Sequence, residues 1–136
     1  MKNLGLIFMM LFWCLQGQAQ DKMYQLSSHI LDITEGKPVS NVDITLFQLN
    51  DHKQWVALTT LRTDENGRVK SFLPQDKMKE NKGVYKLKFE TYKYFDQRQI
   101  ETFYPFIEVV FKIEDDKHYH VPITISPFGY STYRGS

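Results

Sequence analysis

The amino-acid sequence predicts an all-β fold, and three features of it lead to that prediction. Aromatic residues make up 15% of the chain, and aromatic side chains favour strands over helices. Short segments that alternate between polar and apolar residues are separated by turn signals at regular spacing, which is typical of a sandwich or a barrel. The 136 residues, 42% hydrophobic and 24% charged, suit one globular domain without a linker or a repeat.

The first nineteen residues have the organisation of a secretory signal peptide. Lys2 supplies a short positive start, residues 4–15 form an apolar run, and Gly17 and Ala19 form a small-x-small end. A membrane anchor is the alternative, but the run falls short of the roughly 20 apolar residues that span a bilayer. We therefore expect cleavage after Ala19, a mature domain of residues 20–136, and export, with the periplasm as the expected compartment.

The charge and cysteine content of the mature chain exclude several classes of function. The sequence holds 17 Lys and Arg against 16 Asp and Glu, and removal of Lys2 leaves the two signs equal. A balanced, scattered charge argues against nucleic acid or an anionic membrane surface as a partner. The only cysteine, Cys14, leaves with the signal peptide, so the mature chain has neither a disulfide nor a thiolate metal ligand.

Turn signals bound the first three predicted strands of the mature chain. Residues 24–33 are mainly apolar or small and stop before a Gly-x-Pro turn signal. Residues 42–49 alternate between apolar and polar side chains, and residues 55–62 follow a polar turn. Asn66-Gly67 then predicts a tight turn, because this pair tolerates the positive φ angles that such a turn needs. We therefore expect the tight turn to fix the backbone of the residue that follows Gly67.

Four further strands and one short helix are predicted in the second half of the chain. Residues 83–91 alternate clearly between apolar and charged side chains. Residues 92–99 instead have Tyr92, Phe95 and Gln99 at helical spacing, so this segment predicts a helix. The remaining predicted strands cover residues 106–113, 118–125 and 129–133.

Spacing alone leaves the chemistry of the polar residues open. His29 lies in an apolar strand, where a histidine is more often structural than functional, and Arg68 by default is an exposed charge. His118 and His120 share a strand face and could chelate a metal, although no third ligand at a helpful spacing is visible. Residues 130–136 combine two tyrosines, three hydroxyls and an arginine, which is more than a frayed chain end usually carries.

Four separated motifs cover almost the whole mature chain, over residues 24–136. They are Ser28-His29-Ile30-Leu31-Asp32 with Gly36-Lys37-Pro38, Thr63-Asp64-Glu65-Asn66-Gly67-Arg68, His118-Tyr119-His120-Val121-Pro122, and the ending Tyr133-Arg134-Gly135-Ser136. In this order they closely resemble the 5-hydroxyisourate hydrolases, the enzymatic branch of the transthyretin-related proteins. The hormone carrier transthyretin shares the sandwich but lacks the enzyme's histidines and its Tyr-Arg-Gly-Ser end, so the resemblance selects the enzyme.

The resemblance implies a fold, an activity and a set of site residues. The implied fold is a transthyretin-like two-sheet β-sandwich of seven or eight strands with one short helix. The implied reaction is attack of water on a ring amide carbonyl of 5-hydroxyisourate, the unstable product of urate oxidation, to give 2-oxo-4-hydroxy-4-carboxy-5-ureidoimidazoline. His118 falls at a position that varies in the family. The implied catalytic residues are His29, Arg68, His120 and Ser136, and those implied to bind substrate are His29, Arg68 and Tyr133.

These residue types suit a hydrolysis. A histidine can accept a proton near neutral pH, and a positioned general base contributes on the order of 10² to 10⁴ in rate. His29 and His120 are the two candidates; one acts as base while the other orients water or protonates the departing nitrogen, and the assignment stays open. Arg68 supplies a permanent charge and a planar set of donors for a developing oxyanion. The scheme requires no metal and no organic cofactor.

The resemblance also implies a homotetramer, a dimer of dimers with its sites in clefts at the dimer–dimer interface. The neutral mature charge and the aromatic richness suit self-association. Two alternatives to the hydrolase stay open. One is a secreted carrier of small aromatic ligands that uses the same sandwich, and the other is a purely structural sandwich module.

Overall fold

A computed structural model describes residues 22–136, which form nine β-strands and one short helix. The predicted signal peptide lies outside the described residues. The strands are β1 (Tyr24–Asp32), β2 (Lys37–Pro38), β3 (Asp43–Leu49), β4 (Trp55–Arg62), β5 (Arg68–Pro74), β6 (Gly83–Phe89), β7 (Ile107–Ile113), β8 (Tyr119–Ser126) and β9 (Gly129–Thr132), and the helix α1 (Tyr92–Asp96) follows β6.

The strands pair into two sheets. One sheet has the order β2-β1-β8-β9, with β5 also paired to β1, and the other has the order β4-β3-β6-β7. The pairing of β1 with β8 is parallel, whereas the other strand pairs are antiparallel. Strand β1 is therefore flanked by β8 on one side and by β2 and β5 on the other, which brings three distant chain segments together.

The predicted all-β sandwich is confirmed, and all seven predicted strands occur within two residues of their expected bounds. Two of the nine strands, β2 and β5, were not predicted. Strand β2 has only two residues and lies in the Gly-x-Pro segment that was interpreted as a turn signal. The alternation of β5 is broken where Phe72 and Leu73 are both buried and Leu73 adopts φ +53°. Its pairing with β1 is also shifted in register between Leu26 and Ser28. The helix ends at Asp96, three residues earlier than expected, and Gln99 takes φ +55°, outside the helical range.

The hydrophobic core fills the space between the two sheets. On β1, Leu26 and Ile30 are fully buried, and on β8 Ile123 and Ile125 are equally inaccessible. Full burial of such a side chain contributes about 1.5–3 kcal/mol to folding. Because side chains alternate along a strand, the residues between these positions project from the outer face of the same sheet.

Asp32 anchors the helix to the end of β1. Its Oδ2 accepts a 2.6 Å hydrogen bond from the Tyr94 hydroxyl, and its Oδ1 accepts from the backbone N–H groups of Thr34 and Glu35. Burial, with the Asp32 bond as a second cause, raises the pKa of Tyr94 to about 12. The phenol therefore stays protonated and donates to the carboxylate across the neutral pH range.

Candidate active site

Arg68 lies directly opposite His29 on neighbouring strands. The antiparallel pairing of β1 with β5 sets His29 against Arg68, the first residue of β5. Directly opposite residues of a sheet point to the same face, with Cβ atoms about 4.5–5.5 Å apart. The imidazole and the guanidinium therefore share the outer face of the sheet that contains β1, β5 and β8.

The turn before β5 holds the backbone of Arg68 in place. The Asp64 carboxylate accepts hydrogen bonds from the backbone N–H groups of Asn66, at 2.9 Å, and Arg68, at 3.0 Å. The backbone N–H of Asp64 donates in turn to the carbonyl of Arg68 at 2.9 Å. The Asp64 carboxylate thus stabilises the turn, and the backbone of Arg68 is held in place at the start of β5, as the Asn-Gly pair predicts.

Gly67 allows this turn to press against β1. It adopts φ +70°, and a Cβ at this position would lie 2.6 Å from the carbonyl oxygen of Ile30 and 2.9 Å from the nitrogen of Val39. The Gly67 carbonyl also accepts a 2.9 Å hydrogen bond from the N–H of Ile30. Only glycine permits both the φ angle and the close approach, so the turn sits beside His29.

His120 reaches the same outer face from β8. The parallel register sets Ser27 beside His120 and His29 beside Pro122. Ser27 and His29 lie two positions apart on β1 and so share a face. The Oγ of Ser27 lies 2.7 Å from Nδ1 of His120. With Nδ1 engaged by the hydroxyl, Nε2 is the ring nitrogen left to exchange a proton with substrate or water.

Both histidines are held in their neutral form near neutral pH. Burial lowers the pKa of the His29 ring below its ordinary value, and the Arg68 guanidinium lowers it further, while a backbone hydrogen bond at Asn66 and the Asp64 charge act in the opposite direction. Burial also lowers the pKa of His120, followed by the charges of Arg68, His29 and His118. A neutral imidazole is the form that can accept a proton.

The C-terminal segment borders His120 through Gly135. The N–H of Gly135 donates a 2.8 Å hydrogen bond to the carbonyl of His120, and the two residues form an isolated antiparallel bridge. A Cβ on Gly135 would lie only 2.5 Å from Cδ2 of the His120 ring. The glycine therefore lets the tail backbone run close beside the imidazole, a role that the sequence analysis did not assign to it.

Tyr133 and Ser136 lie at the border of the cluster rather than inside it. The pairing of β9 with β8, extended to the Gly135 bridge, sets Tyr133 beside Pro122, whose other neighbour is His29. Tyr133 is 60% exposed, and Ser136 is exposed as well. The structure thus brings His29, Arg68 and His120 together and leaves these two tail side chains open to solvent beside them.

Ser27 and His118 are polar neighbours that the sequence analysis did not include in the site. Nε2 of His118 lies 3.2 Å from the Ser27 hydroxyl. The resemblance gave His118 no role, and Ser27 carries no sequence signal beyond its place two residues before His29. His52, by contrast, is exposed in the turn between β3 and β4.

Two further features bear on binding partners. Within residues 22–136, no three His, Cys, Asp or Glu side chains are grouped so that they could hold a metal ion. Over the same range, no helix has the length and apolar character needed to cross a membrane.

The arrangement is that of an acid–base site with an anion-stabilising donor. Two half-buried neutral histidines can take and return a proton. The guanidinium of Arg68, whose backbone is held by the turn, lies on the same face and can stabilise a negative oxygen. Fold and geometry together define a β-sandwich protein with a candidate acid–base site on the outer face of one sheet.

The model of the HIUase/Transthyretin family matches residues 26–135, and the chain belongs to this family. The 5-hydroxyisourate hydrolase of Salmonella dublin is 44% identical over 112 residues, covering 82% of this chain and 80% of the relative. The structure of Klebsiella pneumoniae 5-hydroxyisourate hydrolase superposes with a TM-score of 0.66 at 34% identity, covering 82% of this chain and 98% of that one. Sea bream transthyretin, solved in complex with thyroxine, superposes with a TM-score of 0.74 at 27% identity, covering 82% and 94%.

Proposed function

We infer that this protein is an enzyme that hydrolyses 5-hydroxyisourate to 2-oxo-4-hydroxy-4-carboxy-5-ureidoimidazoline. One observation carries the inference: in a chain of this family, β1, β5 and β8 bring His29, Arg68 and His120 to one face of one sheet. The 44% identity to a 5-hydroxyisourate hydrolase identifies the substrate. The activity belongs to urate degradation.

His120 is the better placed general base. Its Nδ1 is tied to Ser27, so the ring is oriented and Nε2 is free to take a proton from the attacking water. His29, in the next cross-strand row, orients that water or, as a neutral ring that accepts one proton while it donates another, passes a proton to the departing ring nitrogen. Arg68 supplies donors for the carbonyl oxygen as it becomes an oxyanion.

Tyr133 and Ser136 complete the proposed site from the C-terminal side. Their hydroxyl groups lie on an exposed segment next to Pro122 and His120. Hydroxyls can donate to or accept from the carbonyl and N–H groups of a flat heterocycle. We therefore propose that Tyr133 binds the substrate and that Ser136 is one of the catalytic residues.

The carrier alternative is disfavoured, although transthyretin shares the fold. A carrier of small aromatic ligands needs a cavity but no proton acceptor, whereas this chain places two neutral histidines beside a guanidinium. Sequence identity is also higher to the Salmonella hydrolase, at 44%, than to sea bream transthyretin, at 27%. A carrier would bind an aromatic ligand without consuming 5-hydroxyisourate.

The test of the activity is the ultraviolet absorbance of freshly generated 5-hydroxyisourate. The wild-type protein is expected to speed the decay of substrate absorbance well beyond its spontaneous rate, with the ureidoimidazoline as product. Decay at the spontaneous rate, with an aromatic ligand still bound, would instead identify a carrier.

The assembly that we propose is a homotetramer, a dimer of dimers that encloses the site. The cluster lies on the outer face of a sheet, and Arg68 and Tyr133 are exposed in the single chain. Small-molecule sites usually bury 70–90% of their ligand, which an open sheet face does not achieve by itself. Light scattering coupled to sizing chromatography should give a tetramer, and a fully active monomer would contradict this assembly.

We also propose that the protein is exported to the periplasm after cleavage behind Ala19, so that the mature domain covers residues 20–136. The support is the charged start, the apolar run and the small-x-small end of the first nineteen residues. Intact-mass analysis of the exported protein should give a chain that begins at Gln20. A mass that includes Met1 to Ala19 would rule out cleavage at this position.

A further inference from the structure

The Ser27 hydroxyl lies between two imidazole rings. Its Oγ is 2.7 Å from Nδ1 of His120 and 3.2 Å from Nε2 of His118. Ser27 is only 9% exposed, His120 is half-buried and His118 is exposed. The three groups therefore form a continuous hydrogen-bonded path that begins at a site residue and ends in solvent.

We propose that Ser27 and His118 form a proton-release path that carries a proton from His120 to bulk water. The proposal rests on the proposed hydrolase function, because the proton that moves along the path is the one that His120 accepts as a base during hydrolysis. In it, Ser27 is a positioning residue that also passes the proton on, and His118 is the outer group that delivers it to solvent.

The hydrolysis itself creates the need for such a path. Water adds across a carbon–nitrogen bond, with its hydroxyl going to carbon and a proton to nitrogen. The new carboxylic acid ionises at neutral pH, since such groups have pKa values of about 3–4. One proton must therefore leave the site in each turnover, and the proposed tetramer, which encloses the site, leaves it few routes.

The proton balance closes at each atom. The attacking water gives up both of its protons, one to the departing ring nitrogen and the other to Nε2 of His120. The His120 ring is then an imidazolium, its Nδ1 proton passes to Ser27 Oγ, and the original hydroxyl proton of Ser27 passes to Nε2 of His118. The serine is unchanged, His120 is neutral again, and the positive charge is on His118, which releases a proton to water. The rings regain their starting tautomers by exchange with water.

The charges around His120 favour movement in this direction. Arg68 on β5, His29 on β1 and His118, immediately before β8, are the charged or titratable groups that act on it, and the tail contributes Gly135 at the contact. Arg134 of the tail lies over the Tyr119 ring instead, with Cζ 4.5 Å from the ring centroid. A proton on His120 is thus repelled by the permanent charge of Arg68, and His118 is the exposed outlet.

The test is the dependence of turnover on buffer concentration in His118→Gln. Glutamine keeps a hydrogen-bonding group near Ser27 but cannot carry the proton. With imidazole at a few millimolar, turnover should fall about five-fold or more relative to wild type, and high imidazole should restore it, because a mobile buffer replaces the outlet. Removing the His118 charge should also raise the pKa of His120, so the acidic limb of the rate profile moves to higher pH.

Variants of Ser27 separate the relay from simple packing. Ser27→Ala should lower turnover about ten-fold or more at every buffer concentration, since His120 loses both its orientation and the path. Ser27→Thr, which keeps the hydroxyl, should recover most of the rate. Ser28→Ala removes a neighbouring buried hydroxyl bonded to the Val121 carbonyl, and it should lower stability without a buffer-dependent loss. His52→Gln is the matched histidine control.

The outcomes distinguish the two proposals. All rates are corrected for buffer-promoted decay of 5-hydroxyisourate without enzyme. Absence of wild-type turnover would overturn the hydrolase function itself. An active wild type with His118→Gln equally fast in dilute buffer, or with a loss that imidazole does not restore, would overturn the proton-release path and leave the hydrolase function standing.

Discussion

Gly135→Ala introduces a methyl group where the tail passes the ring of His120, the proposed general base. The new Cβ would lie 2.5 Å from Cδ2 and 3.1 Å from Cγ of His120. Carbon atoms in ordinary contact are about 3.5–4.0 Å apart, so the ring and the tail must separate by about 1 Å. The ring cannot move freely, because the Ser27 hydroxyl holds its Nδ1 at 2.7 Å.

The expected result is a large loss of turnover with little loss of stability. A 1 Å displacement of a catalytic group can cost about 10² in rate, which corresponds to about 2.7 kcal/mol of activation free energy. The substitution lies in the tail beyond β9 and leaves the core between the sheets intact, so the melting temperature should change little. The assay is the initial rate of 5-hydroxyisourate consumption, measured beside a thermal melt.

Gly129, at the turn between β8 and β9, provides the control. At Gly129 an added Cβ would meet Ser126 Oγ at 3.5 Å, which is an ordinary contact. Gly129→Ala should therefore keep wild-type turnover. Turnover of Gly135→Ala within about two-fold of wild type would refute the idea that the tail positions His120.

Three further predictions concern the same cluster. His29→Ala, Arg68→Ala and His120→Ala should each fold and assemble yet lose turnover by roughly 10² or more, while His52→Ala stays at the wild-type rate. Both site histidines have pKa values below the ordinary 6.5, so activity should persist to slightly acidic pH and fall once the histidines become protonated. In Arg68→Ala, an NMR titration should show that the pKa values of both histidines are raised, because the neighbouring positive charge is gone. Unchanged pKa values would contradict the charge coupling. A chain that ends at Thr132 should remain a folded oligomer with a modestly lower melting temperature but lose most of its activity. A fully active truncated chain would show that the tail has no role in the site. A truncated chain that unfolds would show that the role of the tail is structural.

The sequence was sufficient for the parts of the molecule that local patterns encode. Alternating strands and the Asn66-Gly67 turn follow from side-chain periodicity and backbone conformation, and the motif resemblance pointed to His29, Arg68 and His120. These three residues do lie together, because β1 pairs with both β5 and β8.

Other features depend on contacts between distant segments and could not be predicted in this way. Ser27 contacts His120, which lies 93 positions later in the sequence. The register of a parallel strand pair decides which hydroxyl lies beside a histidine, and a local sequence pattern does not reveal that register. Gly135 was part of a recognised motif, yet its role is a steric one that becomes visible only when the tail is seen beside the ring. Strand β5 was not predicted because its pairing with β1 is irregular, so that its buried residues do not alternate regularly along the sequence.

The most direct test of the proposed activity and its site is the turnover of the combined variant His29→Ala/Arg68→Ala/His120→Ala, measured beside the three single variants and the wild type on one preparation of 5-hydroxyisourate. Groups that act as a unit give strongly non-additive losses. The wild type should accelerate substrate decay far above the spontaneous rate, and the combined variant should be only slightly slower than the most impaired single variant, with circular dichroism unchanged. A folded combined variant that retains wild-type turnover would show that the hydrolysis takes place elsewhere.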